Sequence, residues 1–76
     1  MEVKFYRNKA GSPTLKQAQN FVGGLVEVVR LEDGNQMLVN EEGVMKNLPI
    51  NFEASFEAGK VILGNAIILE GAAKWD

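Results

Sequence analysis

Apolar residues dominate the run Leu25-Val26-Glu27-Val28-Val29-Arg30-Leu31, in which Glu27 is the one carboxylate. Its β-branched content predicts the principal strand of the chain. Asp33-Gly34 then supplies a two-residue type I′ hairpin loop, and Met37 to Asn40 forms the returning strand. With Asp33 and Gly34 in the loop, Leu31 faces Gln36, Val29 faces Leu38 and Glu27 faces Asn40. Moving the loop to Gly34-Asn35 shifts the pairing by two residues and preserves the faces. Either register places Glu27 and Asn40 on one side of the hairpin. Val26 and Val28 then share the other side with Met37 and Val39, and that side is expected to lie beneath a helix.

The helix is announced upstream by Ser12-Pro13-Thr14-Leu15-Lys16-Gln17. Pro13 suits a first helical position, and Thr14 with Gln17 has capping-box spacing. Leu15, Ala18 and Val22 form one apolar stripe with Phe21 at its edge, and Gly23 is the expected left-handed terminator. At about two and a half turns, such a helix is held by packing and not by propensity. Before it, Val3 to Arg7 reads as a short first strand ended by Asn8-Lys9-Ala10-Gly11.

Beyond the hairpin, Glu41-Glu42-Gly43 is a turn, and Val44-Met45 is expected to add a few extended residues. Pro49 holds Leu48 extended, and Asn51 caps a short helix through Ala54 to Phe56 that stops at Ala58-Gly59. Val61 to Leu63 and Ala66 to Glu70 are predicted strands, joined at Gly64-Asn65 by either a tight turn or a bulge. Phe5, Tyr6, Phe21, Phe52 and Phe56 are assigned to the core. These elements predict one α+β domain over residues 1–76: a small, mainly antiparallel sheet of about five strands with one principal helix packed on one face. Residues 70–76 are expected to be a frayed tail unless Trp75 docks, as a late core plug or as an interface anchor.

Composition narrows the chemistry. The 76 residues include no Cys and no His, which excludes disulfides, thiolate zinc sites, histidine ligation and thiol nucleophiles. The net charge of −2 divides into +3 over residues 1–16 and −5 over residues 17–76. An acidic body repels phosphates, so nucleic acid is a disfavoured partner. The polar N-terminus is not followed by a signal-peptide core, and the longest apolar run, Ala66-Ile67-Ile68-Leu69, is far too short to span a membrane. A cytoplasmic location is the expectation. The small core favours self-association or a protein partner. Residues 61–75 are the expected contact, because the Val61–Leu69 stretch has no charge until Glu70 and would form an unprotected sheet edge.

Recognisable reaction machinery is lacking. Ser12, Thr14 and Ser55 have no base to activate them, and Gly23-Gly24 runs from helix to strand, the reverse of a phosphate-binding loop. Glu32-Asp33-Gly34-Asn35 and Asn40-Glu41-Glu42 lack EF-hand spacing and read as solvated turns. No metal, cofactor or catalytic residue is assigned. Glu27, Asn40, Glu41, Asn51, Asn65 and Trp75 remain as candidate ligand or partner contacts. Glu27 has two readings: a carboxylate on a solvated sheet face, or a half-buried one bonded to Asn40.

Taken in order, Val22-Gly23-Gly24-x-Val26-Glu27, the Asp-Gly hairpin, Val39-Asn40-Glu41-Glu42-Gly43, Leu48-Pro49-x-Asn51, Ala54 and Ile62-x-Gly64-Asn65-Ala66-Ile67-Ile68 resemble the domain of unknown function 3846 family. The resemblance covers residues 13–70. It implies an origin in a phage or mobile element, with a location in the cytoplasm of the infected cell, and it brings no activity, ligand or catalytic residue. The expectation is therefore a non-enzymatic accessory protein that binds and modulates a host or phage protein. A small-ligand module is the alternative, holding a nucleotide-like signal at an oligomer interface, with Lys4, Arg7 and Lys9 as the only available cation cluster. A nucleic-acid-associated regulator ranks third.

Overall fold

The computed structural model describes residues 1–75. A four-stranded mixed sheet carries one helix on each face. The elements run β1 (Val3–Tyr6), α1 (Leu15–Val22), β2 (Val26–Arg30), β3 (Gln36–Asn40), α2 (Phe52–Ala58) and β4 (Ala66–Leu69). The strand order is β1-β4-β3-β2, with β4 parallel to β1 and antiparallel to β3. The α+β class is as the sequence predicts, but the strand count is four, not five, and the sheet is mixed. Leu63 makes only an isolated bridge to Ile50, so residues 61–63 form no strand of the sheet and Gly64-Asn65 is not a hairpin turn.

The local punctuation works as read. Thr14 accepts from the Gln17 amide while the Gln17 side chain accepts from the Thr14 amide, closing a capping box. Pro13 precedes this cap and so is not the first helical residue. Gly23 terminates α1 in the left-handed region at φ 86°, where a Cβ would be strained. Ala18 and Val22 are buried beneath α1, whereas Leu15, expected on the same stripe, is exposed at the helix start.

The hairpin register differs from expectation, and its faces are exchanged. Val26 pairs with Asn40, Glu27 with Val39, Val28 with Leu38 and Val29 with Met37. The loop has three residues, Glu32-Asp33-Gly34. The Gly34 amide donates to the Leu31 carbonyl at 3.0 Å, and the Leu31 amide donates to the Asn35 carbonyl at 2.8 Å. Gly34 at φ 88° completes the turn-plus-bulge arrangement of a three-residue hairpin. An odd loop length moves the pairing by one residue relative to a two-residue loop, which turns one strand over with respect to the other. Glu27 and Asn40 are therefore on opposite faces, contrary to the sequence reading.

One face carries Leu31, Met37, Val39, Ala66 and Ile68, covered by Ala54 of α2 and by Ile62. The other carries Leu38, Ile67 and Leu69, covered by Ala18 of α1, by Ala73 and by the partly buried Tyr6, Phe21, Val26 and Trp75. Every residue of β4 is buried, because it lies between two neighbours and two helices. The apolar edge expected at Val61–Leu69 is thus absent: Ala66–Leu69 is the interior strand, and the exposed edges belong to β1 and β2. Val44 and Met45 sit in consecutive turns over residues 41–47 and do not extend a strand.

Candidate functional site

The three candidate asparagines are structural pins. Asn40 is buried at the end of β3, where its Nδ2 donates to the Val22 carbonyl at 3.0 Å and its Oδ1 accepts from the Glu42 amide at 2.7 Å. It thereby satisfies an unpaired C-terminal carbonyl of α1 and fixes the following turn. A Cβ on Gly24 would crowd the Lys46 ammonium and stand 3.1 Å from the same Asn40 amide nitrogen, so a glycine there leaves the hydrogen bonds of both side chains undisturbed. Asn51 caps α2 through Oδ1, which accepts from the Ala54 amide, and its Nδ2 donates to the carbonyls of Gly64 and Glu2. Asn65 accepts from the Glu2 amide and donates to the Phe21 carbonyl, tying β1, α1 and the entry to β4 together. All three spend their polar capacity on backbone groups of their own chain.

Trp75 is docked. The Gln36 side chain binds both sides of its backbone: Oε1 accepts from the Trp75 amide at 2.6 Å and Nε2 donates to the Trp75 carbonyl at 2.7 Å. The indole Nε1 donates to the Pro13 carbonyl at 3.2 Å. With the short 3₁₀ turn Gly71–Ala73, these bonds hold residues 71–75 against the α1 face. Asp76, the last residue of the expected tail, lies outside the described residues. Replacing Gln36 with Leu removes both bonds and should cost about 1–3 kcal/mol. Tryptophan fluorescence should shift to the red before the rest of the chain unfolds in urea. An unshifted emission maximum would show that the indole contacts alone hold Trp75.

Beside Trp75 lies an open hollow of about 610 Å³ lined by Lys9, Ser12, Pro13, Leu15 and Lys74. Lys74 Nζ already donates to the Gly34 carbonyl. The other N-terminal cations do not gather there. Lys4 Nζ lies 4.4 Å from the centre of the Phe21 ring, and Arg7 Nε is paired with Glu70 at 2.8 Å. The cation cluster of the small-ligand alternative is therefore dispersed over separate contacts.

The remaining candidates, Glu27 and Glu41, line a groove of about 130 Å³ on the α2 side of the sheet. Val29, Val39, Gly43, Val44, Lys60 and Val61 also line it. Both glutamates are exposed. The reading of Glu27 as a carboxylate bonded to Asn40 is overturned, because Asn40 is committed to Val22 and Glu42 on the other face. Among the described residues, no group of three or more His, Cys, Asp or Glu converges on one point.

The same side carries a feature that the sequence reading placed in the core. α2 buries Ala54 and half-buries Ala58, while Phe52 and Phe56 are 76% and 87% exposed. Its small residues face the sheet and its aromatic residues, one turn apart, face solvent. Val44 and Met45 are 82% and 83% exposed in the turns beyond β3. Glu53 and Glu57 are exposed on α2. Sequence reasoning missed this surface because aromatic residues on a short amphipathic helix default to core. The available signal was the spacing: Ala54 and Ala58 form a continuous small-residue stripe capable of close approach to a sheet, and no single face of the helix accommodates that stripe together with Phe52 and Phe56.

The sequence profile of the domain of unknown function (DUF3846) matches residues 2–76, so the chain belongs to that family. No curated protein matches the chain, and no solved structure does. No helix among the described residues is long and apolar enough to cross a membrane.

Proposed function

We propose, from its membership of this family as the premise, that the chain is a non-catalytic accessory protein that docks another protein on the α2 side of its sheet. The single observation that supports this most is the outward placement of Phe52 and Phe56 on a helix that buries alanines. Large exposed aromatics on one helix face are costly to solubility unless a partner covers them, and buried aromatic anchors carry much of the energy of protein interfaces. The charged groups on this side are mostly acidic: Glu27 and Glu41 line the groove with Lys60, and Glu53 and Glu57 are exposed on α2. The complementary partner surface is apolar and ringed by Lys or Arg. The setting of a phage or mobile element, with the protein acting inside the infected cell, is carried by the family resemblance.

The test compares wild type with the double substitution Phe52→Ser/Phe56→Ser, which removes exposed side chains and should leave the thermal midpoint nearly unchanged. A purified partner should lose at least about tenfold in affinity for the double variant. Its binding should also weaken with salt, as a charge-complementary contact does. Binding that is indifferent to both phenylalanines would move the docking surface elsewhere.

A further inference from the structure

The outer edge of β2 has the geometry to pair with itself. The Glu41 amide donates to the Leu25 carbonyl and the Leu31 amide to the Asn35 carbonyl, each at 2.8 Å. In an antiparallel ladder, residues alternate between bonding inward and pointing outward. The odd positions 25, 27, 29 and 31 therefore bond to β3. Val26, Val28 and Arg30 direct their three N–H and three C=O groups away from the sheet, and among the described residues β2 has no strand neighbour on that side. Leu25 and Val28 are half exposed along this edge. By the same argument the β1 edge offers only Val3 and Phe5, since the Ala66 and Glu70 amides bond to the carbonyls of Glu2 and Tyr6.

From this pattern we infer that β2 pairs antiparallel with β2 of a second copy about a twofold axis through Val28. The register is set by the outward groups. Val28 meets Val28 of the second copy, Val26 meets Arg30 and Arg30 meets Val26, and each of these pairs exchanges two backbone bonds. A twofold axis perpendicular to the sheet requires an even register, and this one is even. Val28 packs on its own symmetry mate and Leu25 lies opposite Leu31 of the second copy, so the side chains opposed along the seam are mostly apolar. The like-charge encounter is Glu27 with its mate on a diagonal, between exposed groups that solvent and salt screen. A single heterologous strand would also satisfy the outward groups, but the self-complementary register favours a second copy. The two four-stranded sheets become one of eight strands, with both α2 helices on the same side.

Residue-resolved hydrogen exchange on the wild-type protein, combined with sedimentation equilibrium, tests this. The contact is small, so a dissociation constant of about 10–100 μM is expected. The amides of Val26, Val28 and Arg30 should exchange quickly in dilute protein and become protected as concentration rises through that range. Those of Glu27, Val29 and Leu31 should be protected throughout. Val28→Lys places two ammonium groups on the axis and should weaken the dimer at least about tenfold. A second variant, Val28 carrying an N-methyl group, deletes one outward donor from each copy and should weaken it similarly. A monomer at about 1 mM would overturn the inference. So would a dimer whose Val26, Val28 and Arg30 amides still exchange quickly, whether or not the substituted chains fold.

Discussion

Ile67→Lys should unfold the protein. Ile67 is 1% exposed in the interior strand β4, packed with Leu38, Leu69 and Ala18. A lysine there either buries an unpaired ammonium or tears α1 from the sheet, and such substitutions cost about 4–5 kcal/mol or more. A domain of this length has a net stability of only about 4–11 kcal/mol. Far-UV circular dichroism at 25 °C should show most or all of the folded signal lost. Val61→Lys, at a neighbouring apolar position that is exposed, should change stability by no more than about 0.5 kcal/mol. A folded Ile67→Lys protein would mean that β4 is not interior. The contrast matters because an uncharged strand was expected to mark an exposed edge. Four consecutive buried apolar residues are instead the pattern of a strand covered on both faces, and the lack of charge reflects burial.

The second large effect is expected at Asn51. Its side chain makes three hydrogen bonds from a 2% exposed position, joining the start of α2 to Glu2 and to Gly64. Asn51→Ala loses the helix cap and leaves two carbonyls without their donor, which should cost about 2–4 kcal/mol. At the usual sensitivity for a chain of this size, the thermal midpoint falls by about 8–32 °C. Asn51→Asp keeps the capping acceptor but turns a carboxylate toward two carbonyl oxygens. It should be at least as damaging, although aspartate is as good a cap as asparagine on an isolated helix. If Asn51→Asp were as stable as wild type, the cap alone would account for the residue and the two cross-chain bonds would be negligible.

Local signals in the sequence were legible where a residue acts on its immediate neighbours. The Thr14–Gln17 box, Gly23 and the Asn51 cap all depend on two to four residues of chain, and each works as read. The hairpin failed because Gly34 satisfies two loop geometries. A glycine after aspartate suits both a two-residue turn and the left-handed position of a three-residue loop, and the Asp33 side chain bonding to the Asn35 amide favours the latter. That ambiguity of one residue separated Glu27 from Asn40. Long-range placement was harder still. The parallel pairing of Val3 with Ala66 joins residues over sixty positions apart, and no periodicity within either strand encodes it. The candidate site was legible only in part. In the sequence Asn40, Asn51 and Asn65 read as a strand-pair residue, a helix cap and a turn residue, and each also ties distant backbone together, so their work is architectural. Phe52 and Phe56 lie outside those motifs, on a face whose exposure is decided by the sheet beneath it.

The strand order has a consequence for how the chain is made. β4 pairs with both β1 and β3, is the sole strand neighbour of β1 among the described residues, and is synthesised after the other three strands. As the chain leaves the ribosome, the β2–β3 hairpin can close at once, but β1 has no neighbour and neither apolar face can be completed until residues 66–69 emerge. The nascent chain must carry its first strand unpaired until β4 has emerged. Folding to the native topology is therefore a late, cooperative event instead of a stepwise one, and a ribosome stalled before Ala66 would display a chain open to chaperones and proteases.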